Sequence, residues 1–234
     1  MNLKGKDFLS LGDFSSGELN HLILTAEKLK NEKNKGIEHK ILKGKTLAMI
    51  FEKPSLRTRV SFEVGINQLG GNAVVIKGDE ISLGKREPIC DVARTLERYV
   101  DAVMIRTFAH ENLTEFAKYA KVPVINALSD SSHPCQILAD LLTIKETFGK
   151  LKGLKLAYIG DGNNVANSLL LGCSLVGMYF SIGCPKGYEP DGNYLKKAEE
   201  ISNKTGSKIS VLNNPQEAAK DADILYTDVW VSMG

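Results

Sequence analysis

The sequence predicts an α/β protein of two doubly wound parallel-sheet domains, joined by a hinge and a domain-spanning helix. Three observations predict it. Short apolar runs rich in Val, Ile and Ala alternate with segments of helical period, the rhythm of β-α-β units. That rhythm breaks at Gly149-Lys150-Leu151-Lys152-Gly153 and then restarts. The residues best suited to chemistry fall at the carboxyl ends of the expected strands, where open α/β sheets hold their ligands.

Taken in order, Ser15 and Glu18 form an S-x-x-E capping box. Leu19, Leu22, Ile23, Ala26 and Leu29 then trace one helical face. The Lys-rich stretch 30–45 reads as a connector. Strands are expected at 46–51, 73–77, 102–106 and 123–126, with helices near 56–69, 89–99 and 112–120. A long helix over 135–148 follows Ser131-Ser132-His133-Pro134. Beyond it come strand 155–160, helix 165–177, strand 179–183, helix 191–205, strand 209–212, helix 215–220 and strand 223–227. The domains are accordingly placed at 1–148 and 149–234.

Composition narrows the partners. Thirty Lys plus Arg against 28 Asp plus Glu leave a net charge of +2, too balanced for a nucleic-acid or membrane-surface protein. The four cysteines, Cys90, Cys135, Cys173 and Cys184, form no C-x-x-C pair and no metal spacing with the histidines, so free thiols and no metal or cofactor are expected. The amino terminus has no signal or transit character, which points to the cytoplasm. Nothing between Asp161 and Lys186 is charged, and that length could span a bilayer. Its Asn, Ser and Gly content fits a buried helix and strand better.

The most informative segment is Ser55-Leu56-Arg57-Thr58-Arg59, between an apolar strand and a helix on which Leu56, Val60 and Val64 recur every four residues. Ser55 is placed to cap free backbone N–H groups, which with the helix dipole favour an anion. Two arginines in a first turn work against that dipole unless an anion is bound. Arg106 closes the strand from Ala102 and offers a planar donor set to a carbonyl or phosphate oxygen. Solvated surface charge or a structural ion pair is the plain alternative for each arginine. His133 lies between a strand end and a helix start and is locked by Pro134, whereas His21, His39 and His110 read as surface residues.

These motifs resemble the aspartate/ornithine carbamoyltransferase family across essentially the whole chain. FEKPSLRTR (51–59) is similar to its carbamoyl-phosphate loop, and His133-Pro134-Cys135-Gln136 to its H-P-x-Q motif. Gly160-Asp161-Gly162-Asn163-Asn164 and Asp228-Val229-Trp230-Val231-Ser232-Met233-Gly234 resemble G-D-G-N-N and D-x-W-x-S-M-G of the ornithine branch. The resemblance implies carbamoyl transfer from carbamoyl phosphate to the δ-amine of L-ornithine, giving L-citrulline and phosphate in arginine metabolism. It implies Ser55, Leu56, Arg57, Thr58, Ser82, Arg106, His133 and Gln136 for carbamoyl phosphate, with Arg57, Thr58, Arg106 and His133 catalytic. Asn164, Asp228, Ser232 and Met233 are implied for ornithine. Pairing two substrates across a closing hinge would supply much of the acceleration.

Two departures accompany the resemblance. The family's H-C-L-P motif and a later Arg would lie beyond Gly234, so the second domain is expected to be incomplete and the chain itself weakly active. In DEISLGKRE (79–87), a loop that reaches a neighbouring subunit in family trimers, Ser82 stands where ornithine enzymes usually carry Gln. A homotrimer, or a multiple of trimers, follows by the same analogy. Alternatives are a sister carbamoyltransferase for another amine, a carbamoyl-phosphate-binding module without turnover, and a dinucleotide-binding domain. The last is weakest: Val165 stands where G-x-G-x-x-G needs its third glycine.

Overall fold

A computed structural model describes residues 2–81, 83–84 and 86–229. By contacts the chain divides into two units, one of residues 2–9 and 28–130, the other of 10–27 and 131 onward. Helix α1 (Ser16–Asn34) contributes to both. Its capping box forms as expected, Ser15 N–H donating to Glu18 and Glu18 N–H to the Ser15 hydroxyl. The helix runs into the expected connector and ends at Asn34, and Lys28 and Glu32 pair one turn apart near its end.

The first unit holds β1 (Thr46–Phe51), α2 (Leu56–Gln68), β2 (Asn72–Lys77), α3 (Gly78–Ile81), α4 (Ile89–Leu96), β3 (Ala102–Arg106), α5 (His110–Tyr119) and β4 (Val124–Leu128). All strands are parallel, in the order β2-β1-β3-β4. The period-two alternation of β1 divides the core between its faces. Ala48 and Ile50 pack with Val92, Ala93, Leu113 and Phe116 of α4 and α5. Leu47, Met49 and Phe51 pack with Met104 and with Phe62 and Ile66 of α2. Helices on both faces make this a doubly wound sheet.

The other face of α2 behaves differently. Leu56, Val60 and Val64 are 79%, 49% and 44% exposed, so the stripe that signals the helix is not the face that enters the core.

The second unit holds α6 (Pro134–Phe148), β5 (Lys155–Ile159), α7 (Asn164–Val176), β6 (Tyr179–Gly183), α8 (Gly192–Thr205), β7 (Ile209–Leu212), α9 (Pro215–Ala219) and β8 (Ile224–Tyr226). Its parallel order is β7-β6-β5-β8. The uncharged stretch resolves as α7 and β6. Every residue of α7 from Val165 to Val176 is buried, which explains apolarity all round the helix. Its polar groups are satisfied locally, Ser174 donating to the Leu170 carbonyl and Ser168 to that of Asn164. No helix among the described residues is long and apolar enough to cross a membrane. Gly149, left-handed at φ 71°, ends α6 at the start of the expected hinge sequence.

Candidate active site

Both sheets reverse winding direction once, between β1 and β3 and between β5 and β8. The crevice outside the strand ends at such a point is where α/β sheets bind ligands. Ser55, Arg57, Thr58 and Arg106 follow or close β1 and β3 in the first unit, and Asn164 and Asp228 follow β5 and β8 in the second.

In the first unit, Ser55 caps α2 as expected: its hydroxyl accepts from Thr58 N–H at 3.2 Å and donates to Thr58 Oγ1 at 2.9 Å. The first turn of α2 contains no acid. Arg59 is accounted for by its neighbour Glu63, 3.2 Å away. Arg57 is not: its charge reaches Arg106, and burial followed by that repulsion lowers the Arg106 pKa from its usual value. The β3–β4 register shifts beside Arg106: Ile105 pairs with Asn126 and Arg106 with Leu128, leaving Ala127 of β4 as the extra residue. Arg106 Nε is buried with no hydrogen-bond partner among the described residues. Two cations drawn together beside a helix N-terminus, one with a buried unsatisfied donor, are a costly arrangement that an oxyanion relieves. A cavity of about 680 Å³ opens beside the loop, lined by Ser55, Leu56, Arg59, Lys77 and Phe108 among others.

Sequence reasoning missed what holds this crevice in shape. Glu52 N–H donates to the Arg106 carbonyl at 2.9 Å, and the Glu52 carboxylate accepts from the Thr107 hydroxyl. Lys53, only 8% exposed, donates to Asp130 and lies 4.1 Å from the centre of the Phe108 ring. Thus the loops after β1, β3 and β4 are tied to one another. His110 is a correction: it opens α5 half-buried, its Nδ1 2.8 Å from Ser129 Oγ, because a loop after β4 packs over it. His39 is likewise half-buried, against Glu32 at 3.0 Å. His21 is exposed as expected. Ser82 lies outside the described residues.

In the second unit His133 is the N-cap of α6, with Pro134 at the first helical position. Side chains of α7 pin its loop: Ser168 Oγ accepts from His133 N–H at 2.8 Å, and Asn167 donates to the Ser131 carbonyl. Gln136, one turn into α6, donates to Asp140 at 3.0 Å. Asn164 is the first residue of α7, and Asn163 before it caps the helix by accepting from Val165 and Ala166 N–H. Those N–H groups are the ones a dinucleotide pyrophosphate would need, which removes the physical basis of that alternative. Asn163 also donates to Asp161 and to Asp228 of the strand end opposite, both at 3.3 Å. Gly162 permits this turn, since a Cβ there would lie 2.2 Å from Pro190 N. Asp161 and Asp228 leave this crevice acidic, fit for an ammonium group. Asp161 was overlooked in the sequence because Asp228, the other carboxylate that Asn163 bridges, lies 67 positions away in the chain. Ser232 and Met233 lie outside the described residues.

Among the described residues no cluster of His, Cys, Asp and Glu could hold a metal ion. The thiols of Cys135 and Cys173 are pushed up to about 12 by burial, so neither serves as a nucleophile near neutrality.

Comparison with known proteins separates two binding domains, with His133 and Gln136 falling in the first. Residues 6–146 match the carbamoyl-phosphate-binding domain of aspartate/ornithine carbamoyltransferase, and residues 152–234 its Asp/Orn-binding domain. The chain belongs to the aspartate/ornithine carbamoyltransferase family. Relatives within it include the ornithine carbamoyltransferase of Anoxybacillus flavithermus, 56% identical over 234 residues that are all of this chain and 74% of that protein. That of Methanocaldococcus jannaschii is 57% identical over 204 residues, 87% of this chain and 67% of the relative. The solved ornithine carbamoyltransferase from Pyrococcus furiosus superposes with a TM-score of 0.98 at 48% identity, over 100% of this chain and 74% of that one.

Proposed function

We propose that this chain carries the machinery for carbamoyl transfer from carbamoyl phosphate to the δ-amine of L-ornithine, yielding L-citrulline and phosphate in arginine metabolism in the cytoplasm. The observation that carries the reading is the buried, unpartnered Arg106 Nε at the end of β3, with the adjacent strand β1 leading to the Ser55-capped start of α2, whose first turn holds Arg57 and no acid. The names of the relatives and the acidic second crevice support ornithine as the acceptor.

In this reading Ser55, Leu56, Arg57 and Thr58 bind the phosphate through side chains and backbone N–H groups. Attack of the neutral δ-amine on the carbonyl carbon forms the C–N bond and loads negative charge on the carbonyl oxygen. Thr58, Arg106 and His133 supply donors to that oxygen, the interaction that lowers the barrier. Breaking the C–O bond releases phosphate, whose charge Arg57 offsets and which takes up the amine proton. Gln136 accepts from the carbamoyl amide. Asp228 and Asn164 orient ornithine, with Ser232 and Met233 at its α-amino and carboxylate ends. Neither a metal nor an organic cofactor has a part in this chemistry.

The exposed stripe Leu56, Val60 and Val64, with Val74 (48% exposed) on the edge strand β2, supports self-association of the first unit. A homotrimer is the proposed form, with Ser82 of one copy approaching the next, and sedimentation equilibrium tests it.

Titration calorimetry with carbamoyl phosphate, followed by citrulline assays with ornithine, putrescine and aspartate, tests the function. Saturable binding and citrulline from ornithine alone are expected. Carbamoylation of another amine instead would replace the acceptor assignment, and absence of carbamoyl-phosphate binding would overturn the reading.

A further inference from the structure

The Gln136 carboxamide has two ends of opposite character, and its neighbours decide which end is free. Residues 136 and 140 share one face of α6 a turn apart. Asp140 Oδ1 accepts from Gln136 Nε2 at 3.0 Å, while Oδ2 accepts from the Tyr226 hydroxyl at 3.0 Å. Tyr226 is fixed in turn: it closes β8, two residues before Asp228, and stacks on buried Tyr158 with ring centres 5.9 Å apart. A carboxylate only accepts, so it binds the NH₂ end of the glutamine and leaves carbonyl Oε1 uncommitted.

We propose that Asp140, anchored by Tyr226, is a positioning residue that holds the Gln136 amide with Oε1 toward the substrate, so that the site selects an acyl phosphate bearing an N–H donor. The inference rests on the proposed role of Gln136 at the carbamoyl amide. A methyl group in place of that NH₂ leaves Oε1 without its hydrogen bond and is disfavoured for that reason.

Asp140→Asn is the direct test, because it preserves shape and changes only the acceptor pattern. With Tyr226 donating to the Asn oxygen, the new NH₂ faces Gln136 and turns the amide round, presenting Nε2 to the substrate. Affinities for carbamoyl phosphate and acetyl phosphate are measured by calorimetry on wild type, Asp140→Asn and Tyr226→Phe, with thermal midpoints as a check on folding. In wild type carbamoyl phosphate should bind more tightly than acetyl phosphate. Asp140→Asn should weaken carbamoyl phosphate by about fivefold to tenfold while acetyl phosphate stays within about twofold, the scale of one hydrogen bond. Tyr226→Phe should move the ratio the same way but less. Equal weakening of both ligands, or an unchanged ratio in a folded variant, would overturn the proposal. Loss of folding in Asp140→Asn passes the decision to Tyr226→Phe. A wild type without preference between the ligands would fail the reading of Gln136 itself.

Discussion

The two strand-end crevices are built by the same topology and carry opposite chemistry. Between β1 and β3 the groups that converge are Arg57 and Arg106, beside a helix start without acids. Between β5 and β8 they are Asp161 and Asp228, bridged by Asn163. In the first, the N–H groups of the capped helix and two cations favour an anion and repel a cation. In the second, Asn163 consumes the equivalent N–H groups and the remaining charge is negative. Winding reversal gives a ligand a place; side chains at the strand ends decide its sign.

The sharpest way to break this contrast is to remove the first crevice's cation. Arg106→Ala should lower kcat/KM with carbamoyl phosphate by about 100-fold or more, the scale of losing a charged donor at a developing oxyanion. Calorimetry should show weakened carbamoyl phosphate as well. A variant that binds and turns over normally would make Arg106 a structural residue. Next in size, Asp228→Asn should weaken ornithine by about tenfold, one charge-assisted hydrogen bond, and leave carbamoyl phosphate within about twofold. Weakening of both substrates alike would mean that the crevices do not divide the labour as their charges indicate.

How much of this was legible in the sequence follows from distance along the chain. The strands, the Ser55 cap and the arginine-bearing loop are local features, each set by a period or by neighbours within a turn. All appear where the residues indicated, with end shifts such as helix 89–99 closing at Leu96 and strand 223–227 contracting to Ile224–Tyr226. The uncharged stretch also resolves as expected, because Ser and Asn inside it signalled satisfied polar groups. What escaped were ties between distant residues: Lys53 with Asp130, Glu52 with Thr107 and Asp140 with Tyr226. No period announces such pairs. The Leu56 stripe shows the opposite limit, since a helical period marks a helix without saying which of its apolar faces is covered.

Lys53→Met probes one of those ties. Lys53 is nearly buried, but Asp130 remains 53% exposed in its side chain, so the abandoned carboxylate keeps water. The expected loss of stability in urea unfolding is therefore only about 1 kcal/mol, as for a largely screened pair. Carbamoyl-phosphate affinity should fall modestly, because the loops after β1 and β4 lose their connection. A loss above about 3 kcal/mol would place Lys53 among pairs whose breaking strands a buried charge.

The smallest expected effect concerns Asp140, and it distinguishes the units by their response to pH. Burial raises the Asp140 pKa, and the hydrogen bonds from Gln136 and Tyr226 only partly oppose that shift. The folded protein therefore holds this proton more tightly than the unfolded chain, whose carboxyl titrates near the ordinary 3.8. Through the window between 3.8 and the raised folded value, the native state binds more protons than the unfolded one. Stability from this group thus declines as pH rises through that window, and is fully present below it. Asp101 of the first unit, lowered by Lys45 and the Thr46 N–H, has the opposite sign, though its exposure keeps it weak. Urea midpoints measured across that window should show the advantage of wild type over Asp140→Asn shrinking as pH rises. An advantage that grows instead would mean that the two donors, rather than burial, govern the carboxyl, and that Asp140 is held as an anion at every pH where the protein folds.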